Sequence, residues 1–276
     1  RPARREYAQS PAGHPGCRVA VADPVYRPII GAARGLFAAL GLRIDMVGQE
    51  NIPLSGGALL AINHTSYLDF ALAGLPAHAR GHRLVRFMAK DGIFRHPVAG
   101  PLMRGMKHIP VDRDAGTAAF RDAVRDLRAG ELVGIFPEAT MSRSLEIKEI
   151  KNGAVRIART ANVPLIPMIV FGGQRILSYG HRDLHRGRTI VIMVGEPLAT
   201  PRGVDVDVTT QALHDRLAEL LDLAIARYPD KPAGATWIPA RLGGGAPTPE
   251  EALAIEERVR AEKAQKAASG PDAQHQ

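Results

Sequence analysis

The chain has little of what usually settles a protein's class at a glance. It has one cysteine, Cys17, in 276 residues, which excludes an internal disulfide and fits a reducing compartment. Cys17 lies in a Pro/Gly-rich opening segment and is a poor nucleophile candidate. Aromatic residues make up 5% of the chain and there is a single tryptophan. Without a recognition motif, that scarcity argues against nucleic acid as a partner. No run of about eighteen uncharged apolar residues occurs, so no transmembrane span is expected. The first sixteen residues lack the apolar core of a secretory signal. Opening on arginine, the sequence reads as starting inside a longer precursor or at a misassigned start. No His, Cys and carboxylate set has metal-ligand spacing, so no metal is expected. No internal repeat is present.

Positive charge is plentiful. The formal net charge is +8 and the pI is near 10, which points to an anionic partner such as phosphate or acidic lipid. The charge is uneven: between Arg80 and Arg113 there are eight basic residues against two acids, so a basic surface is expected there. Upstream, Val25, Ile29, Ile30, Ala33, Leu36, Phe37 and Leu40 recur at helical spacing with Arg27, Arg34 and Arg43 among them. This is the pattern of an amphipathic helix, one that lies on a membrane or packs on the domain.

Further on, short aliphatic runs alternate with helical patterns. Strands are expected at 42–47, 58–62, 85–89, 108–111, 132–136, 165–171 and 189–194. Helices are expected at 115–129, 152–161 and 208–228, the first with Ala119, Phe120, Ala123, Val124 and Leu127 on one stripe and Gly130 at its stop. Such alternation predicts an α/β fold, a mixed and mostly parallel sheet covered by helices, preceded by the amphipathic segment. The organisation reads as a flexible segment 1–24, an amphipathic helix 25–45, a main α/β domain 46–230, and a Gly/Pro-rich linker with a charged helix and tail at 231–276.

Chemistry concentrates at the ends of the expected strands. Asn63-His64-Thr65-Ser66-Tyr67-Leu68-Asp69 follows the run ending at Ile62. Five residues of helix turn through about 500°, which would leave His64 and Asp69 about 140° apart. A tight turn at Thr65 and Ser66 would instead bring Asp69 back to the imidazole as a His-Asp dyad for proton removal from a hydroxyl. The competing reading is a Ser66-x-x-Asp69 helix cap. Downstream, Ile109 to Arg113 ends in Asp-Arg, where a guanidinium can grip a phosphate, or where the two residues form a surface pair. Phe136-Pro137-Glu138-Ala139-Thr140 projects Glu138 and Thr140 from a strand end unless they cap a helix. Lys148 to Ala154 reads as a solvated charged face or an anion site at a helix start.

Taken together, these blocks resemble the glycerophospholipid acyltransferase family, whose best known members act on 1-acylglycerol-3-phosphate (lysophosphatidate). The likeness covers about 41–195. Asn63, His64 and Asp69 match its N-H-x4-D block. Lys90 to Gly100 and Ile109 to Arg113 match the second, Phe136 to Thr140 the third, and Val163 to Pro167 the fourth. The resemblance implies acyl transfer from acyl-CoA or acyl carrier protein to the lysophosphatidate hydroxyl, giving phosphatidate, with no further cofactor. It implies His64 and Asp69 as the catalytic pair and Lys90, Arg113, Glu138, Thr140 and Arg143 as substrate-binding residues. It also implies an anionic membrane surface as partner, with the protein peripheral or monotopic on the cytoplasmic face of the cell membrane. Two positions depart from the pattern: Ala139 stands for the usual glycine, and Met141 for an arginine that Arg143 replaces. These departures keep open another acceptor (glycerol-3-phosphate, a lysophospholipid or a glycolipid) or a non-catalytic lipid-binding relative.

Overall fold

All five residues of the strand Ala58–Ile62 are apolar and buried, as in a strand covered on both faces. The computed structural model describes residues 23–112 and 116–268, with side chains through 265. Its strands are β1 (Arg43–Val47), β2 (Ala58–Ile62), β3 (Val85–Lys90), β4 (Ile109–Val111), β5 (Leu132–Ile135), β6 (Leu165–Phe171), β7 (Leu177–Ser178), β8 (His181–Arg182) and β9 (Thr189–Val194). Seven of them form one sheet in the order β1-β9-β6-β2-β5-β3-β4, with β2 at its centre. The pairing of β6 with β9 is antiparallel and the other pairings are parallel. Strands β7 and β8 make a small separate hairpin.

Alternation along β2 sends side chains to two cores. Leu59 and Ala61 join the apolar faces of α6 (Gly116–Arg128), α7 (Gly153–Ala161) and α8 (Val206–Arg227). Ala58, Leu60 and Ile62 meet Phe37 of α1 (Tyr26–Ala39), Leu72 of α2 (Asp69–Ala73) and Ala77 of α3 (Leu75–Ala79). Each fully buried Leu or Ile contributes about 1.5–3 kcal/mol through removal from water, so both faces hold the sheet. Two short helices, α4 (Asp91–Phe94) and α5 (Ala99–Gly105), follow β3. Because β2, β3, β5 and β6 run parallel, their carboxyl ends share one edge, where open α/β sheets bind ligands.

Several expectations are corrected. The helix expected over 25–45 ends at Ala39, because Gly41 turns the chain at φ +60° and residues from Arg43 pair with β9 as an edge strand. The helix packs on the domain through one side: Tyr26 and Phe37 are buried, and Tyr26 Oη donates to Val85 O at 2.7 Å. The basic stretch is not simply a surface. Arg86 is buried on Asp23, and Arg80, Arg83 and Arg104 donate to main-chain carbonyls. The 231–249 segment is packed rather than a free linker. Ala235, Ile238 and Ala246 are buried, and turns such as Gly245 N to Ala235 O close it on itself. The charged helix, α9 (Pro249–Ala268), docks through buried Ala252 and a Glu256–Lys148 ion pair. Among the described residues no helix is long and apolar enough to cross a membrane. Residues 1–22 and Arg113 lie outside the described residues.

Candidate active site

The end of β2 is held by the residue before the histidine. Asn63 Nδ2 donates to Val170 O at 3.2 Å and its Oδ1 accepts from Val170 N at 2.7 Å, so a side chain extends the β2–β6 ladder beyond its last strand residue. His64 then leaves the sheet. Asp69 opens α2 with 0% exposure, and its Oδ2 accepts from Thr65 N and Ser66 N, both at 2.8 Å. The same oxygen lies 2.9 Å from His64 Nδ1. Asp69 thus closes the turn before α2 rather than capping the helix, whose N-cap, Leu68, has no side-chain cap bond. With Nδ1 donating to the carboxylate, Nε2 is left as the acceptor nitrogen. Burial pushes the Asp69 carboxyl up, while the imidazole and the two amides pull it down. Phe136 stacks on the imidazole at 4.4 Å and Phe70 meets it edge-on at 6.1 Å, which restricts the ring. The Thr65 and Ser66 amides face Asp69, so they do not form an oxyanion hole.

The turn after β5 is tied to the first. Glu138, 5% exposed, accepts from His64 N on Oε1 at 2.9 Å and from Lys148 N on Oε2 at 3.1 Å. Burial pushes its carboxyl up to about 8, against the pull of those two amides. Ala139 has φ +62°, a left-handed conformation that glycine adopts without strain. Met141 is buried at 4% exposure and presents no charge. Thr140 Oγ1 accepts from Lys148 Nζ at 2.8 Å, and that ammonium also meets Glu256 at 2.7 Å. Lys148 is thus a bridge to the C-terminal helix rather than part of a solvated face.

Two cavities are lined by chain neighbours of the dyad, Tyr67 and Phe70 in one and Thr65 in the other. One, of about 360 Å³, is apolar and lined by Ile29 and Ile30 of α1, Tyr67, Phe70, Phe87 and Met103 among others. The other, of about 290 Å³, is lined by Thr65, Arg143, Arg175, Tyr179, Trp237 and Ile255 among others. Tyr67 lines the first and meets Tyr179 of the second edge-on at 6.1 Å. Among the sequence-predicted residues, His64, Asp69, Glu138 and Thr140 form one connected hydrogen-bonded set with Lys148. Arg143 lies 4.0 Å over the Tyr179 ring. Lys90 ends β3, two strands from β2, and lines neither cavity. Sequence reasoning missed Lys148 as a bridge and missed Arg175 and Trp237 altogether. The one available signal was a lone tryptophan inside a Gly/Pro-rich stretch. No group of three or more His, Cys, Asp or Glu that could hold a metal ion occurs among the described residues.

The chain is similar to known proteins. A family model described as Acyltransferase matches residues 43–171. The chain is 29% identical over 200 residues to the 1-acyl-sn-glycerol-3-phosphate acyltransferase of Bacillus subtilis, covering 68% of this chain and 94% of that one. It is 27% identical over 220 residues to the chloroplastic enzyme LPAT1 of Arabidopsis thaliana, covering 76% of this chain and 59% of that one. The crystal structure of PlsC, a 1-acyl-sn-glycerophosphate acyltransferase from Thermotoga maritima, matches with a TM-score of 0.62 at 20% identity, over 74% of this chain and 81% of that one. This last likeness is one of fold.

Proposed function

We propose that this chain, which belongs to the acyltransferase family, is an O-acyltransferase that moves a fatty acyl group from acyl-CoA or acyl carrier protein to the free hydroxyl of lysophosphatidate, giving phosphatidate in phospholipid biosynthesis. The observation that carries the reading is the 2.9 Å contact of His64 Nδ1 with buried Asp69, which leaves Nε2 facing away from the carboxylate. Nε2 takes the proton from the acceptor hydroxyl as that oxygen attacks the thioester carbonyl. The imidazolium, stabilised by Asp69, then gives the proton to the departing thiolate. No covalent acyl-enzyme is needed.

The surroundings suit the substrates. The apolar cavity offers an acyl tail a wall of aliphatic and aromatic side chains beside Phe70. The acceptor phosphate is assigned to Arg113 with Lys90, at the end of β3; Arg143, a third candidate by family likeness, lies over Tyr179 in the other cavity. Glu138 spends both oxygens on main-chain amides, so its contribution to acceptor binding runs through the placement of His64. At the membrane, exposed Leu36 of α1 with Val98 and Leu102 near α5 offers apolar contact, and Arg27 and Arg34 add attraction of about 1 kcal/mol each at an anionic surface.

The deciding experiment is acyl-CoA turnover on lysophosphatidate vesicles by wild type and His64→Ala, with circular dichroism as the fold control. A loss on the order of 10²- to 10⁴-fold is expected; retained turnover sinks the mechanism. Running the assay over glycerol-3-phosphate, lysophospholipid and glycolipid acceptors tests whether buried Met141 has changed acceptor choice. Liposome flotation of Leu36→Asp tests the membrane role, and unchanged association overturns it.

A further inference from the structure

The basic cavity contains chemistry that the dyad does not use. Arg175 is 6% exposed. Its guanidinium lies 3.9 Å over the Trp237 ring, and Nη1 donates to Tyr228 Oη at 3.1 Å and to Asp230 at 3.0 Å. A charge buried and braced in this way is held at one spot rather than waving in solvent. Arg143, stacked on Tyr179, supplies a second guanidinium. No carboxylate is among the described residues lining the cavity. Three lining residues carry a buried polar atom without a hydrogen-bond partner among the described residues: Thr65 Oγ1, Arg143 Nε and Trp237 Nε1. Buried polar groups are normally satisfied, so unspent donors gathered around one basic cavity mark a place for a ligand rich in acceptors.

The position of the cavity narrows the ligand. On the proposed reading, the acceptor phosphate is taken by Arg113 with Lys90, and Lys90, at the end of β3, lines neither cavity. The basic cavity is built from the turn after β2, the loop after β5, the segment after β6, the hairpin and the C-terminal segment. An acyl thioester has an apolar tail, a reactive carbonyl in the middle and a phosphate-bearing carrier arm. The apolar cavity, the His64 turn with Tyr67, and the basic cavity adjoin in that order. We propose that the basic cavity binds the phosphate ester of the donor's carrier arm, the phosphopantetheine group common to CoA and acyl carrier protein, with Arg143 and Arg175 as its ligands. The guanidinium forks match phosphate oxygens in geometry and charge. Trp237 and Ile255, from the C-terminal segment, complete the wall. This assignment rests on the acyl-transfer reading only for the identity of the arm.

The chain's single tryptophan stands in that wall and reports occupancy by its fluorescence, independently of turnover. The full chain is titrated with CoA, 4′-phosphopantetheine, pantetheine and glycerol-3-phosphate. A saturable change is expected with the first two and none with the last two over the same range. Arg143→Gln is expected to weaken CoA binding about tenfold and to raise KM for acyl-CoA in step, leaving KM for lysophosphatidate unchanged. Arg175→Lys, which keeps the charge but loses the fork, is expected to give a smaller shift of the same kind. Equal binding of pantetheine and 4′-phosphopantetheine overturns the proposal, and so does a response to glycerol-3-phosphate with a raised acceptor KM. Turnover without any CoA-induced fluorescence change also overturns it while leaving the acyltransferase reading intact. A CoA response without turnover supports the site and overturns that reading. Acyl carrier protein in parallel with CoA identifies which carrier the site takes.

Discussion

The turn after β2 and the turn after β5 use the same device to different ends. Each leaves the carboxyl end of a parallel strand, and each is fixed by a buried carboxylate that accepts two main-chain amides. Asp69 closes its own loop, taking the amides of Thr65 and Ser66 and then an imidazole. Glu138 reaches outward, taking the amides of His64 and Lys148 and no side-chain donor. The first carboxylate therefore orients an imidazole ring, while the second positions the backbone that carries the ring. The lesson is that burial does not distinguish the two acids; the identity of their donors does.

The largest test of this contrast is Asp69→Asn, which keeps the shape but cannot stabilise an imidazolium. A fall in kcat on the order of 10²- to 10⁴-fold is expected. The double variant with His64→Ala should be no worse than His64→Ala alone, because the two residues act as a unit. Additive losses would dissolve the pair.

A neutral acceptor offers the next comparison. His108, 8% exposed, accepts from Phe87 N on Nδ1 at 3.0 Å, doing with an imidazole what Glu138 does with a carboxyl. Burial, with Arg86 nearby, pushes it down from 6.5 to about 4. The unfolded chain then binds the proton more readily, so the stability His108 contributes is fully present above pH 6.5 and lost as pH falls toward 4. That loss amounts to about 3 kcal/mol at roughly 1.4 kcal/mol per pH unit. His108→Asn, which retains an acceptor and removes the titration, should flatten this slope in urea unfolding measured across that range. An unchanged slope would refute the assignment.

Smaller effects belong to the β5 turn. Glu138→Gln sets an amide NH₂ against a main-chain N–H and should cost about 1–3 kcal/mol of stability, with a kcat loss well below that of Asp69→Asn. A loss equal to it would make Glu138 a participant rather than a brace. Smallest of all, Ala139→Gly relieves a left-handed alanine and should stabilise by up to about 1 kcal/mol in the same unfolding experiment, with turnover unchanged.

The contrast also explains what could be read from the sequence. β2, β6 and β9 match their expected bounds because apolar, β-branched runs bounded by polar residues declare themselves locally. The stripe on α6 is legible for the same reason: Ala119, Ala123, Val124 and Leu127 are buried together. The His64–Asp69 turn is local too, since its bonds span three to five residues. What escaped is long-range. Glu138 meets a main-chain amide 74 residues away, Arg175 stacks on a tryptophan in a stretch whose composition suggests a linker, and Arg86 hides its charge on Asp23. Helices α2 to α5 are too short to show a period.

The Lys148–Glu256 bridge and the Trp237 wall give the molecule a temporal order as well as a spatial one. Synthesis runs from residue 64 toward residue 256, so the dyad, Glu138 and Thr140 emerge while the residues that finish the basic cavity do not yet exist. A nascent chain that ends at residue 171 holds His64, Asp69, Glu138 and Lys148 but not Arg175, Trp237 or Glu256. The Lys148–Glu256 pair is thus among the last contacts that synthesis allows, made only once α9 has been added to the chain.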